Sequence, residues 1–368
     1  MGVSRRPVQI GRVSAEVIDQ LRVELEKGRI AGGQFVPSVR RLASRFGVAK
    51  KTVEKAMRQL TDEGLLVSVP RQGFRVLPRA GQPDRGLPLA YVAHVPADGD
   101  EFWDEFHKQL LSSFQQTAAA KGWSLLAVGC RGDNVGEVLD QLNAAGVFGA
   151  IIDSYGRELR AGLDHQHIPY VAVDGRPRSL FCDMVNQDGF LGGYLAARHL
   201  LAAGHRRPCF FGARPISDDL QIPERFGGAQ AALETEGLHL DARDVVLSPL
   251  SDYGEIVRNA RQLLSRSERP RAILSLWQKV TAGLCSAARD LGLVPGADFE
   301  MVGWSTEEGY RSEFLAEFAG GPVPPAITWR VSEMAEAAVR LLKLRRAEPE
   351  ASTMHHRVGV RLRVSGRD

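Results

Sequence analysis

The stretch PSVRRLASRFGVAKKTVEKAMRQLTDEGLLVSVPRQGF, residues 37–74, decides how the first part of the chain folds. Pro37-Ser38 opens a helix, with Ser38 placed to cap it and Val39, Leu42, Ala43 and Phe46 recurring on one face. Gly47 supplies a tight turn. A further helix runs from about Lys50 to Glu63, burying Val53, Met57 and Leu60, and Gly64 closes it as a C-terminal cap. Leu65–Val69 and Phe74–Leu77 are β-rich runs separated by Pro70-Arg71-Gln72-Gly73, which reads as a hairpin turn. Upstream, Ser14 is placed to cap a helix carrying Val17, Ile18, Leu21 and Leu25 on one face, ended by Gly28 and the Gly32-Gly33 pair.

Two short helices across a glycine turn, followed by a hairpin, make a helix-turn-helix with a wing. The second helix of such a pair enters a DNA major groove N-terminus first, which brings Lys50, Lys51 and Thr52 to the duplex. The positive helix end adds attraction for phosphate. Arg40 and Arg41, on the exposed side of the preceding helix, are placed for backbone contacts, and Arg71 and Gln72 lie at the wing tip within reach of a minor groove. Charge agrees. Residues 1–80 hold 16 Lys+Arg against 7 Asp+Glu, whereas the remainder holds 31 against 37, so an overall charge of +3 conceals a basic head on an acidic body. That asymmetry is the footprint of nucleic-acid binding, with a merely solvated basic surface as the plainer reading.

The segment VIDQLRVELEKGRIAGGQFVPSVRRLASRFGVAKKTVEKAMRQLTDEGLLVSVPRQGFRVL resembles the winged-helix DNA-binding domain of the GntR family of bacterial regulators. The likeness rests on the PS-x-x-x-LA stretch, the FGV-x-x-x-TV turn and the L-x-x-EGLL exit, in order and at the right spacing. It implies DNA contacts at Arg40, Lys50, Lys51 and Thr52 and a wing at Arg71, Gln72 and Gly73. Glu54 stands where the family often has Arg, which implies either one phosphate left without its usual cation or a cytosine amino group read instead. Arg71-Gln72-Gly73-Phe74 replaces the wing's usual Gly-x-Gly-Thr.

Pro78 to Pro88 is rich in Pro, Gly and charge without apolar periodicity, and reads as a linker. The organisation expected is therefore a winged helix over 10–78, a linker over 79–88 and a large domain over 89–368. In the large domain apolar runs alternate with amphipathic helices, the pattern of a parallel sheet covered on both faces. Strands fall at Leu89–Val95, Ser124–Val128, Val147–Ile152 and Tyr170–Val173, with helices at Glu101–Lys121, Val135–Ala145 and around Glu158–His165. After a helix at Gly189–Ala203, a second series runs from Pro208–Phe211 onward. Its strands lie near Val245–Leu247, Ala272–Leu276 and Glu300–Val302, and its helices near Arg225–Glu236, Tyr253–Ser265, Val280–Leu291 and Val331–Leu344. Two successive α/β series predict two Rossmann-like lobes with a cleft between them.

The segment NQDGFLGGYLAARHLLAAGHRRPCFFGA, residues 186–213, resembles the hallmark stretch of LacI/GalR-type effector domains, which have the periplasmic-binding-protein fold. ERFGGAQAAL, RPRAILSLWQKVTAGLCSAARDLGLVPGADFEMVGW and PPAITWR continue the likeness across nearly all of 88–368. The fold class expected is α/β: an N-terminal winged helix-turn-helix followed by a two-lobed, type I periplasmic-binding-protein-like domain. The resemblance implies a small polar effector, a sugar or related metabolite, held by Asp188 and by Arg225, whose guanidinium can fork onto vicinal hydroxyls or a carboxylate. Trp277-Gln278 stands where the family commonly has Asn-Asp, and Ser305-Thr306 where it has Asp-Asp. Trp277 is suited to stack on a sugar face, Gln278 to donate and accept, and Phe102 and Trp103 to add aromatic walls.

No GxGxxG, GxSxG, HExxH or clustered Cys/His pattern occurs, so neither an enzyme, a cofactor nor a metal is expected. The four cysteines are scattered, as in reduced cytosolic proteins. No apolar run approaches the ~18 residues of a membrane span, and no signal peptide opens the chain; a cytoplasmic location is expected. The reading is a homodimeric regulator, a repressor by family analogy, that binds operator DNA and responds to a metabolite by lobe closure. The alternative is a DNA-binding dimer whose large domain serves only dimerisation or partner binding.

Overall fold

The local chemistry of the first part of the chain is visible in the structure as three helices and an antiparallel pair of strands. α1 spans Val8–Glu26, α2 Val39–Phe46 and α3 Lys50–Asp62, while β1, Leu66–Val69, pairs antiparallel with β2, Gly73–Val76. Ser38 caps α2 by accepting the Arg41 amide at 3.3 Å. Gly47 ends it in the left-handed region, φ 64°, which a side chain rarely adopts. The anticipated start of α1 is corrected: the helix begins at Val8, so Ser14 lies inside it and not at its cap. Val17, Ile18, Leu21, Leu42, Val53, Met57, Leu60 and Val76 form one buried core. Arg22 binds Glu63 at 2.9 Å and so ties α1 to the end of α3. Phe35 bridges to Arg75, and the Val36 amide donates to the Phe74 carbonyl at 2.8 Å, adding a short third edge to the hairpin.

The computed structural model describes residues 8–27, 29–30, 35–69, 73–76, 88–95, 105–153, 156–175, 182–214, 221–313 and 323–364. Arg71, Gln72, Phe102, Trp103 and the expected linker, Pro88 apart, lie outside the described residues.

The rest of the chain is α/β. β3 (Leu89–His94), α4 (Glu105–Ala120), β4 (Leu125–Cys130), α5 (Val135–Ala145), β5 (Gly149–Ile152), α6 (Arg157–His165), β6 (Tyr170–Val173) and β7 (Met184–Gln187) follow in order. Then come α7 (Gly189–Ala202), β8 (Cys209–Ala213), α8 (Gln221–Glu234), β9 (Val245–Ser248), α9 (Tyr253–Leu264), β10 (Ala272–Leu274), α10 (Gln278–Asp290) and β11 (Glu300–Thr306). α11 (Glu307–Glu313), β12 (Ala326–Trp329), α12 (Val331–Ala347), β13 (His355–Val358) and β14 (Arg361–Arg363) complete it. Two six-stranded sheets result, ordered β13-β7-β6-β5-β3-β4 and β14-β12-β11-β10-β8-β9. Every described pairing in them is parallel except β12 with β14. β7, α11 and the pairing of β13 with β7 were not anticipated, because each is too short to carry a period.

The chain divides into two compact units. One comprises residues 1–100, 115–171 and 339–352; the other comprises 101–114, 172–338 and 353–368. In the second, α7 and α8 cross through glycine. A Cβ on Gly193 would strike the Arg225 carbonyl, and one on Gly228 the Phe190 carbonyl. Cys130, Cys182, Cys209 and Cys285 are all buried free thiols, and burial pushes Cys209 and Cys285 up to about 12.

Glu307 clasps this second unit, meeting Arg330 at 3.1 Å and also Arg363. Burial by itself would raise the carboxyl, but the two guanidinium groups outweigh it and hold Glu307 below its ordinary value of 4.5. A carboxyl depressed in the folded state contributes stability above its unfolded pKa and loses it as pH falls through the folded one. Acid titration of the wild type is therefore expected to destabilise this unit below pH 4.5. Glu307→Gln should lower stability at pH 7 by about 1–2 kcal/mol and flatten that acid limb. Parallel acid limbs in chemical denaturation would refute the assignment.

Candidate functional site

Two sets of side chains stand out, one on the head and one in the second unit. On the head, Val53, Ala56, Met57 and Leu60 face inward, which turns the opposite face of α3 to solvent. Lys50 and Lys51 are exposed and Thr52 is half-buried; Arg40 and Arg41 are exposed on α2. Gly73, φ 108°, is exposed and opens β2. Lys55 and Arg58 are exposed as well, and the spacing 51, 55, 58 aligns them with Lys51 on one face, a helical-period signal that the sequence reading missed. By contrast, Arg22 and Arg45 are tied to Glu63 and Glu24. Lys50, Lys51, Lys55, Arg58, Arg40 and Arg41 form no ion pair among the described residues, so their charge is available. Ala49 offers no side-chain cap to the first turn of α3, which leaves that positive helix end without a resident acceptor.

In the second unit, the centre is Arg225 on α8, only 3% exposed. Its guanidinium carbon lies over two indoles, 4.3 Å from the Trp277 centroid and 3.8 Å from that of Trp304. One edge donates to the Leu276 carbonyl at 3.0 Å and the other to Gln221 Oε1 at 2.8 Å. Gln221 passes the connection on by donating to the Asp174 carbonyl at 2.7 Å. Asp174 adopts a left-handed φ of 53° and accepts the Gln187 amide at 2.6 Å. A non-glycine residue in that region is strained, and neighbouring hydrogen bonds must hold it there. On the other side Trp304 packs on Trp329 at 5.3 Å, and Trp329 on Phe106 at 6.1 Å. Gly192 makes room: a Cβ there would come within 2.5 Å of the Trp304 ring.

Asp188 is the N-cap of α7, accepting the Leu191 amide at 3.0 Å, and it also faces Arg357 at 3.4 Å. Gln278 opens α10 beside Trp277 and is half-buried. Of the two positions that replace expected carboxylates, Ser305 is buried, and the Thr306 hydroxyl donates to Gln109 at 2.7 Å while accepting the Gly309 amide at 2.8 Å. The structure thus gathers Arg225 and Trp277 and adds Gln221, Asp174, Trp304, Trp329 and Phe106, which the sequence reading missed. Among the described residues the indole N–H groups of Trp304 and Trp329 are buried without a hydrogen-bond partner. With the guanidinium, these make the cluster rich in donors. It suits a ligand that presents acceptor oxygens.

Residues 13–76 match the family described as bacterial regulatory proteins, gntR family, and residues 94–313, more than half the chain, match periplasmic binding proteins and sugar binding domain of LacI family. The chain is 25% identical over 297 residues to an arabinose metabolism transcriptional repressor of Geobacillus stearothermophilus, covering 75% of this chain and 77% of that one. It is 29% identical over 210 residues to the HTH-type transcriptional repressor PurR of Pectobacterium carotovorum, covering 54% of this chain but only 59% of that relative's length. Among solved structures, the transcriptional regulator CelR–cellobiose complex superposes with a TM-score of 0.63 at 20% identity, covering 90% of this chain and 99% of that one. A LacI family transcriptional regulator from Enterococcus faecium with bound ribose gives 0.60 at 21% identity, covering 75% and 97%. At these identities the solved structures speak for the fold alone.

Proposed function

The chain belongs to the family of periplasmic binding proteins and the sugar binding domain of LacI family, with a gntR-type head, and from that membership we propose that it is a metabolite-responsive DNA-binding transcriptional repressor. The observation that carries the reading is the exposed cationic face of α3, with Lys50, Lys51, Lys55 and Arg58 uncommitted above a well-packed winged-helix core. Lys50, Lys51 and Thr52 enter the major groove, Arg40 and Arg41 hold phosphates, and Arg71, Gln72 and Gly73 form the wing. Two copies on a near-palindromic operator complete the unit of recognition. The head occupies 10–78, the linker 79–88 and the effector-binding part 89–368. Among the described residues no helix is long and apolar enough to cross a membrane, in keeping with the cytoplasmic location that the reading requires.

Arg225 is the principal effector contact, with Trp277 and Gln278 beside it and Asp188 at the mouth of α7. The effector is a small, acceptor-rich polar metabolite in the sugar or sugar-derivative class. Binding costs the guanidinium little reorganisation, since its position is already fixed by Leu276, Gln221 and the two indoles. A second reading, a large domain that no longer binds a metabolite, draws on the burial of Arg225 and its engagement with Leu276 and Gln221. A melting-temperature screen of the full chain with arabinose, ribose, cellobiose and their acids separates the two: a rise of several degrees with one compound supports the effector, and none across the panel supports the second reading.

The DNA half is tested by selecting a duplex from a random pool with the full chain. Lys50→Ala/Lys51→Ala is expected to bind it more weakly and to lower the slope of log affinity against log salt by up to about 1.8, about 0.9 for each phosphate no longer neutralised. An unchanged salt slope and affinity would remove α3 from the groove.

A further inference from the structure

The wing strand β2 carries a charge where a solvent-facing strand has no need to hide one. Arg75 is 4% exposed. Its Nη2 donates at 2.7 Å to Oδ1 of Asn143, itself buried, across 68 residues of sequence. The two belong to the same compact unit. Asn143 sits in the last turn of α5, two residues before its end, where helix carbonyls concentrate partial negative charge. The Phe35 ring lies 6.0 Å from the guanidinium carbon on the head side. Among the described residues no carboxylate meets Arg75, and its Nη1 is buried without a hydrogen-bond partner beside a small pocket bordered by Asn143, Phe148, His167 and Pro169. Desolvation lowers the guanidinium below its usual value.

Burying a cation against one neutral amide and a helix end is costly in the absence of a counter-ion. The contact that bears this cost joins two parts of the chain 68 residues apart. Surface arginines elsewhere on the head, such as Arg40 and Arg41, show that charge here is otherwise left in water. We propose that the C-terminal turn of α5 is the docking surface for the chain's own wing, with Arg75 on Asn143 as its polar link, and that DNA binding and the effector-bearing part communicate through this contact. The communication half rests on the DNA-binding reading given above; the docking half does not. Arg75 is a positioning residue, not a DNA contact: it fixes β2, the second strand of the head's antiparallel pair.

Hydrogen exchange on the full chain tests both halves. Without DNA, Asn143→Leu, which leaves the head's own sequence intact, is expected to speed amide exchange across residues 66–76 by roughly tenfold or more, the effect of losing a hydrogen bond to a charged group. Arg75→Ala should speed exchange reciprocally across residues 142–148. Head amides indifferent to Asn143→Leu would overturn the docking surface, and this arm avoids the risk that Arg75→Ala unfolds the head. With a duplex selected from a random pool at saturation, wild-type amides across 142–148 should change rate at least threefold, and those of Asn143→Leu should not. A duplex that binds while 142–148 stays silent, or an equal change in the variant, overturns the communication. A chain that selects no duplex overturns the DNA-binding reading instead and leaves the docking result to stand on its own measurement.

Discussion

Gly228→Ala is expected to lower the melting temperature of the second unit by about 6–12 °C, corresponding to about 3 kcal/mol or more for a unit of this size. The reason lies in what an added methyl would meet. At Gly228 a Cβ runs into the Phe190 carbonyl and approaches the Tyr194 amide at 3.0 Å; at Gly193, on the facing helix, it runs into the Arg225 carbonyl and the Ala229 amide at 3.0 Å. These are backbone atoms on both sides, so no rotamer change relieves the clash and α7 must move off α8. Separation would loosen the packing around Ala196, Ala229 and Leu200, all wholly buried, in an interior packed as densely as a crystal. It would also shift Arg225, because that residue rides on α8. Gly227→Ala is the internal control: its Cβ finds nothing nearer than the Phe190 ring at 4.0 Å. Equal melting temperatures for Gly228→Ala and Gly227→Ala would defeat the argument.

Replacing Arg225 should separate sensing from DNA binding. Arg225→Ala removes two hydrogen bonds and leaves the Leu276 carbonyl and Gln221 Oε1 short of a donor in a buried site, a loss of about 2–5 kcal/mol in stability. It also empties the slot between Trp277 and Trp304, so intrinsic tryptophan fluorescence should change. Arg225→Lys is no conservative rescue, since an ammonium has no planar face to lay against the indoles and lacks the rigid fork of a guanidinium. With the duplex selected above, Arg225→Ala is expected to bind DNA within a few-fold of wild type, yet to show no shift in affinity with the compound that raises the wild-type melting temperature. An unaltered shift would remove Arg225 from the effector site; loss of DNA binding itself would make the residue structural.

The residues involved in these predictions were not equally visible in the sequence. The core of the head was plain, because Val53, Met57 and Leu60 repeat with the helical period and Ser38, Gly47 and Gly64 mark the ends where backbone geometry demands them. Arg225 and Trp277 were named through family resemblance. That one stacks on the other was not legible, since 52 residues part them and no period links α8 to the start of α10. Trp304 and Trp329 were not singled out, since no local period links them to α8 either. Asp188 shows the opposite limit: an Asp before a glycine-rich helix reads equally as ligand or cap, and only coordinates reveal that it caps α7 and faces Arg357.

By itself the sequence determined most of the longer elements, their order and the class of the two parts, because periodicity, caps and turn residues act over a few neighbouring positions. Only the tertiary structure decided which charges are spent and which remain available. Arg75 and Arg40 are the same residue type on the same small head, yet one is buried on Asn143 and the other is left in water. Burial is a property of what the remote chain brings alongside, and no local pattern encodes it.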